Sequence, residues 1–284
     1  MTSIIAHRGA SDRRPENTMS AFRQAVTDGA DAIETDVQLS KDGVPVLIHD
    51  TLLKRTTGAS GSVHEYTYKE LQDLSAGAWM HKRYRKEKIV SLERLLQETS
   101  TEETKLVLEL KNSNIAHKGL EEAVINLLND YEKIESATVS SFNHRSMAYA
   151  RELSEEVNIA ILYAVHLYRP CEYAKIVGAT ELHPHYRTID KSWIDDAINA
   201  ELEVIPYTID KKSGWKKAID AGVTGIITNK PKALQQYLYP PEQAPPEEPK
   251  SSEQTKPSES IKPSKPTEPT EPTEPSNQKE PSKE

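Results

Sequence analysis

The stretch Asp31-Ala32-Ile33-Glu34-Thr35-Asp36-Val37-Gln38 sets two carboxylates, Glu34 and Asp36, two residues apart between Ile33 and Val37. Read as a strand, its side-chain period of two puts both carboxylates on one face. The pattern recurs in Lys105-Leu106-Val107-Leu108-Glu109-Leu110-Lys111, where Glu109 and Lys111 share a face. Charged groups that face inward along otherwise apolar strands are costly unless they are paired or hold a metal. Both runs therefore read as buried strands that deliver charge to a site.

Outward from these two runs, short apolar stretches alternate with helical periods. Strands are expected at about 3–7, 32–38, 44–49, 105–110, 137–141, 159–163, 179–182, 203–208 and 224–228. Helical periods lie near 18–28, 91–100, 117–131, 143–154, 170–178, 190–200, 212–221 and 231–238. Asn17-Thr18, Ser91 and Pro231 are start signals for three of them. About eight alternations imply a parallel sheet with crossover helices, and at this length an α/β fold closed into a (β/α)8 TIM barrel. An open doubly wound sheet would normally carry a Gly-rich phosphate loop after its first strand, and His7-Arg8-Gly9-Ala10-Ser11 is not one. Residues 50–90 are too long for a simple loop and are expected to form a small insertion over the C-terminal rim, where sites of this fold lie.

The 284 residues are unevenly composed. Eleven of the eighteen prolines lie beyond residue 240, a Thr-Glu-Pro repeat runs from Thr267 to Pro275, and Ile261 is the one large aliphatic there. Such a segment cannot offset its ordering entropy, so a folded domain over 1–239 and a disordered Pro/Glu/Ser/Thr/Lys-rich tail over 240–284 are expected. The net charge of −8 divides about evenly between the two. No basic stripe interleaved with aromatics appears, which argues against nucleic acid. The single Cys171 excludes an internal disulfide. Ser3-Ile4-Ile5-Ala6 is too short for the apolar core of a signal peptide, and no run suits a membrane span. A cytoplasmic protein without stable membrane insertion is the expectation; nothing in the tail specifies a partner.

Several motifs then fall into order: His7-Arg8-Gly9, Pro15-Glu16-Asn17-Thr18 with Ala21-Phe22, Glu34-Thr35-Asp36-Val37, Lys41-Asp42-Gly43 and Val46-Leu47-Ile48-His49-Asp50. Arg55-Thr56-Thr57, Glu109-Leu110-Lys111, Ser140-Ser141-Phe142 and the run from Gly222 to Pro231 follow. Together, over residues 3–239, the chain resembles the glycerophosphodiester phosphodiesterase family. One departure is Tyr207-Thr208-Ile209-Asp210, where that family commonly has Trp-Thr-Val-Asn.

The residues and the resemblance point to the same chemistry. His7 and His49 are the candidate acid–base pair, because a reference pKa near 6.5 lets one be neutral while the other is protonated. Displacement at phosphorus needs a base on one side and an acid on the other. Glu34, Asp36 and Glu109 are candidate metal ligands. Hard oxygen donors without cysteine point to one divalent cation, Ca2+ or Mg2+. Arg8 and Lys111 supply positive charge for phosphate oxygens, with ion pairing to Glu34 and Glu109 as their structural alternative. Glu16 matches a glutamate of the family's site and could touch metal, substrate hydroxyl or Arg8. Asn17 and Thr18 read as helix-capping residues. Tyr207 suits a polyol. His183 and His185 could line the cleft, whereas His117, His144 and His166 carry no assignable role. Arg55 and Trp79 are open between packing and substrate contact.

The resemblance implies hydrolysis of a small-molecule glycerophosphodiester to sn-glycerol 3-phosphate and an alcohol. Attack by water and attack by the glycerol hydroxyl through a cyclic phosphate both remain open. A lysophospholipase D or sphingomyelinase D-like activity would need a lipid groove, and the polar run from Lys82 to Lys88 offers none. A phosphate-ligand-binding scaffold would keep the barrel without turnover, but both histidines are present.

Overall fold

In the computed structural model, residues 1–99 and 104–240 are described; the Pro-rich segment from 241 lies outside them. Parallel strands run in the order β10-β1-β2-β5-β6-β7-β8-β9. They are β1 (Ser3–His7), β2 (Ala32–Leu39), β5 (Lys105–Leu110), β6 (Ala137–Ser141), β7 (Asn158–Tyr163), β8 (Glu181–Pro184), β9 (Glu203–Val204) and β10 (Gly225–Thr228). Backbone hydrogen bonds from Thr224 N–H to Val204 O and from Ile227 N–H to Pro206 O, both 3.0 Å, close the ring between β9 and β10. The eight-stave barrel expected from the alternation is therefore present.

Helices α1 (Met19–Thr27), α4 (Leu92–Glu98), α5 (Leu120–Asp130), α6 (His144–Leu153), α7 (Pro170–Val177), α8 (Lys191–Asn199), α9 (Lys212–Ala221) and α10 (Pro231–Leu238) follow the staves. Each turns a narrow apolar stripe toward the sheet. In α5, Leu120, Val124, Ile125 and Leu128 are the buried residues, at the i, i+4, i+5, i+8 spacing of one helix face. Each such side chain contributes roughly 1.5–3 kcal/mol on burial. Thr18 caps α1 by accepting from Ala21 N–H, and Ser91 caps α4 by accepting from Arg94 N–H. Pro231 opens α10, where its missing N–H costs nothing. Asn17 does not cap; its side chain turns into the site.

The apolar run at 44–49 contains a strand, β3 (Pro45–Leu47), but it is not a stave. It pairs antiparallel with β2, Leu47 opposite Val37, and antiparallel with β4 (Val90–Ser91). Periodicity reports a strand and not its direction, so a hairpin arm and a barrel stave look alike in sequence. The excursion thus starts at the turn after Leu39, where Gly43 adopts φ +80°, earlier than residue 50. It holds α2 (Lys54–Thr57) and α3 (Tyr68–Asp73) around a small core of its own that includes Val46, Leu53, Val63, Leu71 and Ile89. Among the described residues no helix is long and apolar enough to cross a membrane.

Candidate active site

The barrel interior is built in layers of one parity. Ile5, Ala32, Val107 and Ile227, on β1, β2, β5 and β10, form an apolar floor with Ile205, which follows β9. Two residues further along the chain from each stand His7, Glu34, Glu109, Tyr207 and Asn229. Because side chains alternate along a strand, residues that follow the floor by two also face inward, at the C-terminal mouth. Asp36 and Lys111 extend the pattern by one more step on β2 and β5. All eight residues of β2 are buried, so its two carboxylates are almost wholly withdrawn from solvent.

Ligand oxygens of Glu34, Asp36 and Glu109 lie within 4.8 Å of one another. Arg8, in left-handed backbone conformation at φ +55°, donates its backbone N–H to Glu34 Oε2 at 2.9 Å and sets its Nε 3.2 Å from Asp36 Oδ2. Its neighbour Gly9 must be glycine, since a Cβ there would stand 2.6 Å from the carbonyl carbon of Ala21. Lys111 Nζ is 2.6 Å from Glu109 Oε1 and 3.6 Å from Asp36 Oδ1. Asn17 donates to Asp36 Oδ2 at 2.8 Å and accepts from Thr35 at 2.7 Å.

Three carboxylates thus face two cations, and the imbalance appears in their titration. Burial and the neighbouring Asp36 push Glu34 well above the usual carboxylate range. Burial and Asp36 also push Glu109 up. For Asp36 burial acts in the same direction, but Arg8 and Lys111 outweigh it and hold the group low. Asp36 Oδ1 is buried without a hydrogen-bond partner. A buried oxygen with no donor, beside two carboxylates that repel, is the environment a hard divalent cation completes. The three residues fit such an ion.

The two histidines are oriented differently. His7 Nδ1 lies 2.7 Å from Asn229 Oδ1. The amide is fixed by Asp210, whose carboxylate accepts from Asn229 Nδ2 at 2.6 Å and from its backbone N–H at 2.8 Å. The acceptor oxygen therefore faces the ring, His7 carries its proton on Nδ1, and Nε2 keeps a lone pair. Burial, with Arg8 adding to it, lowers the His7 pKa to about 4. His49 Nδ1 lies 2.6 Å from Asp50 Oδ1, and the Asp50 carboxyl is held down to about 2, chiefly by the Arg55 guanidinium. Gln38 donates to the carbonyls of Ile48, His49 and Asp50, fixing the backbone that carries His49.

A groove of about 540 Å³ opens from this site, lined by His49, Asp50, Leu52, Glu109, Lys111 and Phe142 among others. A much smaller cavity beneath it is lined by His7, Glu34, Glu109, Ser140, His183 and Tyr207 among others. Glu109 lines both, so His7 and His49 face the carboxylate triad from two different spaces. Tyr207 packs edge-on against Phe142 and His185, and its hydroxyl donates to Tyr163 O at 3.2 Å.

The remaining candidates separate cleanly. His183 is fully buried and bonds Glu181 at 2.8 Å, and it lines the small cavity with His7 and Glu34 rather than the open groove. His144 is tied to Tyr173 and Leu162 O, and His117 packs edge-on against His64. Trp79 donates to Ala76 O within the insertion. Glu16 meets Arg8 and Arg55 with its two oxygens. Sequence reasoning missed Asp50, Asp210, Asn229 and Phe142 as parts of the site, and read Asn17 as a cap. The adjacent acid in His49-Asp50 was a visible signal; Asn229, 222 positions from His7, gave none.

The C-terminal mouth of the barrel thus gathers two oriented imidazoles, two cations and three carboxylates around one small space. The chain belongs to the glycerophosphoryl diester phosphodiesterase family, whose model matches residues 7–233. It is 36% identical over 233 residues to a glycerophosphodiester phosphodiesterase of Caldanaerobacter subterraneus, covering 82% of this chain and 96% of that one. It is also 36% identical to a glycerophosphodiester phosphodiesterase of Bacillus altitudinis, over 81% and 96% of the two chains. Among solved structures, a phosphodiesterase of Oleispira antarctica, in complex with its product sn-glycerol-3-phosphate, superposes with a TM-score of 0.77 at 30% identity, covering 84% and 97%.

Proposed function

We propose that this chain hydrolyses small glycerophosphodiesters to sn-glycerol 3-phosphate and an alcohol, with His7 as general base and His49 as general acid. The observation that carries this is the pair of Nδ1-anchored imidazoles, His7 on Asn229 and His49 on Asp50, lining two spaces that meet at Glu109. His7, depressed to about 4, is neutral near neutral pH and accepts a proton at Nε2 from the attacking hydroxyl. His49, oriented through Nδ1 by Asp50, donates a proton from Nε2 to the departing alkoxide. Arg8 and Lys111 hold the non-bridging phosphate oxygens, the first through its planar fork. Glu34, Asp36 and Glu109 hold one divalent cation, Ca2+ or Mg2+, which supplies neutralisation of the diester charge when bound. Tyr207 and Phe142 give the glycerol carbons an aromatic wall.

The Oleispira protein's product is the one this reading expects here. Phosphorus NMR of the purified protein with glycerophosphocholine, glycerophosphoethanolamine, glycerophosphoglycerol and a lysophosphatidylcholine, with Ca2+ or Mg2+, tests it. Growth of the sn-glycerol 3-phosphate resonance from the small diesters is expected, and a transient cyclic phosphate signal reports attack by the glycerol hydroxyl. Turnover of the lysophospholipid alone would reassign the substrate class.

A further inference from the structure

Arg55 stands on the four-residue helix α2 of the insertion, between the buried Leu53 and Thr56. Those neighbours pin its Cα to the insertion's own core, while its side chain is two-fifths exposed. From there the guanidinium spans two carboxylates. It donates from Nε to Asp50 Oδ2 at 2.5 Å and from Nη2 to Asp50 Oδ1 at 3.1 Å. It also donates from Nη1 to Glu16 Oε2 and from Nη2 to Glu16 Oε1, both at 2.8 Å. Each carboxylate continues inward: Asp50 to His49 Nδ1 at 2.6 Å, and Glu16 to Arg8 Nη1 at 2.9 Å.

Isolated surface ion pairs add about 0–1 kcal/mol and bidentate networks more, so part of this fork is structural, and the melting temperature reads that part separately. Its geometry does something else. One rigid plane fixes the separation of the carboxylate behind His49 from the carboxylate behind Arg8. We propose that Arg55 is a positioning residue that sets the proton-donating imidazole against the guanidinium that grips the phosphate. The insertion is thereby part of the catalytic geometry rather than a cover over it. A lysine cannot replace it, because an ammonium presents a point charge and not a fork matched to two carboxylates.

This rests on the reading of His49 as a proton donor, and the experiment separates the two. Steady-state kinetics on a glycerophosphodiester are measured for Arg55→Ala, Arg55→Lys, Asp50→Asn, the Arg55→Ala/Asp50→Asn double variant and Arg55→Ala in a His49→Ala background, each with its melting temperature. Arg55→Ala should lower kcat about 10- to 100-fold, the scale of hydrogen bonds to charged groups, with only a small fall in melting temperature. Arg55→Lys should recover little of it. The double variant should be no worse than the poorer single variant, because both break one path. In the His49→Ala background, loss of Arg55 should leave kcat unchanged and raise KM only, through Glu16 and Arg8. Millimolar guanidinium should restore kcat to Arg55→Ala and fail to restore the double variant. Wild-type kcat in Arg55→Ala, full recovery in Arg55→Lys, or losses that multiply in the double variant would each overturn the proposal. If His49→Ala itself turns over normally, the functional reading fails instead.

Discussion

Asn229 presents its side-chain oxygen to His7 Nδ1 at 2.7 Å, and that one contact decides which nitrogen of His7 is basic. Ser11 Oγ donates to the same oxygen at 2.8 Å, and Asp210 holds the amide from behind. Which nitrogen keeps its lone pair is thus set by the residue that follows β10.

Asn229→Ala should therefore lower kcat by about 10–100-fold, the usual cost of losing a group that orients a functional side chain. KM should change little. Wild-type kcat in this variant would show that the His7 tautomer is fixed by something else.

His7 also gives the protein a pH signature. Its pKa is depressed in the folded state to about 4, against about 6.5 for an unfolded histidine. Between these values the unfolded chain binds the proton and the folded one does not, so stability falls as pH drops from about 6.5 to 4. His7→Gln should remove that part of the slope in urea unfolding; an unchanged slope would contradict the buried neutral imidazole.

Glu34 and Glu109 have the opposite sign. Raised values at Glu34 and Glu109 mean that the folded protein without cation holds their protons more tightly than the unfolded chain. That contribution is present at low pH and is lost as pH rises through the raised values. Protons and a divalent cation compete for the same oxygens, so Ca2+ or Mg2+ should raise the melting temperature more at pH 8 than at pH 5. Glu34→Gln should blunt this gain, and EDTA should abolish turnover. A thermal shift independent of pH would place the cation elsewhere.

A chain ending after Tyr239 should keep the melting temperature and the kcat/KM of the full chain on small diesters. The barrel closes on itself between β9 and β10, and α10 ends at Leu238. A large loss in the shortened chain would move the domain boundary.

What the sequence disclosed follows from range. Glu34 with Asp36, and Glu109 with Lys111, announced themselves because a period of two within one strand is local information. The alternation of strand and helix similarly disclosed the barrel, whose staves repeat one simple unit. The hairpin arm at Pro45–Leu47 was read as a further strand of the alternation because apolar runs carry no direction. Asn17 looked like a cap because Asn-Thr before a helix usually is one; its left-handed φ of +55° instead aims the amide at Asp36. Asn229 and Asp210 stood in quoted motifs without a role, since their roles exist only once the ring has closed and brought β10 beside β1.

The proposed chemistry divides the labour between His7 and His49. It is tested most directly by comparing kcat for His7→Ala and His49→Ala on glycerophosphocholine and on the nitrophenyl ester of glycerol 3-phosphate. Both variants should lose about 10²–10⁴-fold on the natural diester, the scale of general acid–base catalysis. Nitrophenolate leaves without protonation, so His49→Ala should return to near wild-type turnover on the ester while His7→Ala remains slow. Equal recovery of both variants, or recovery of His7→Ala alone, would contradict the assignment.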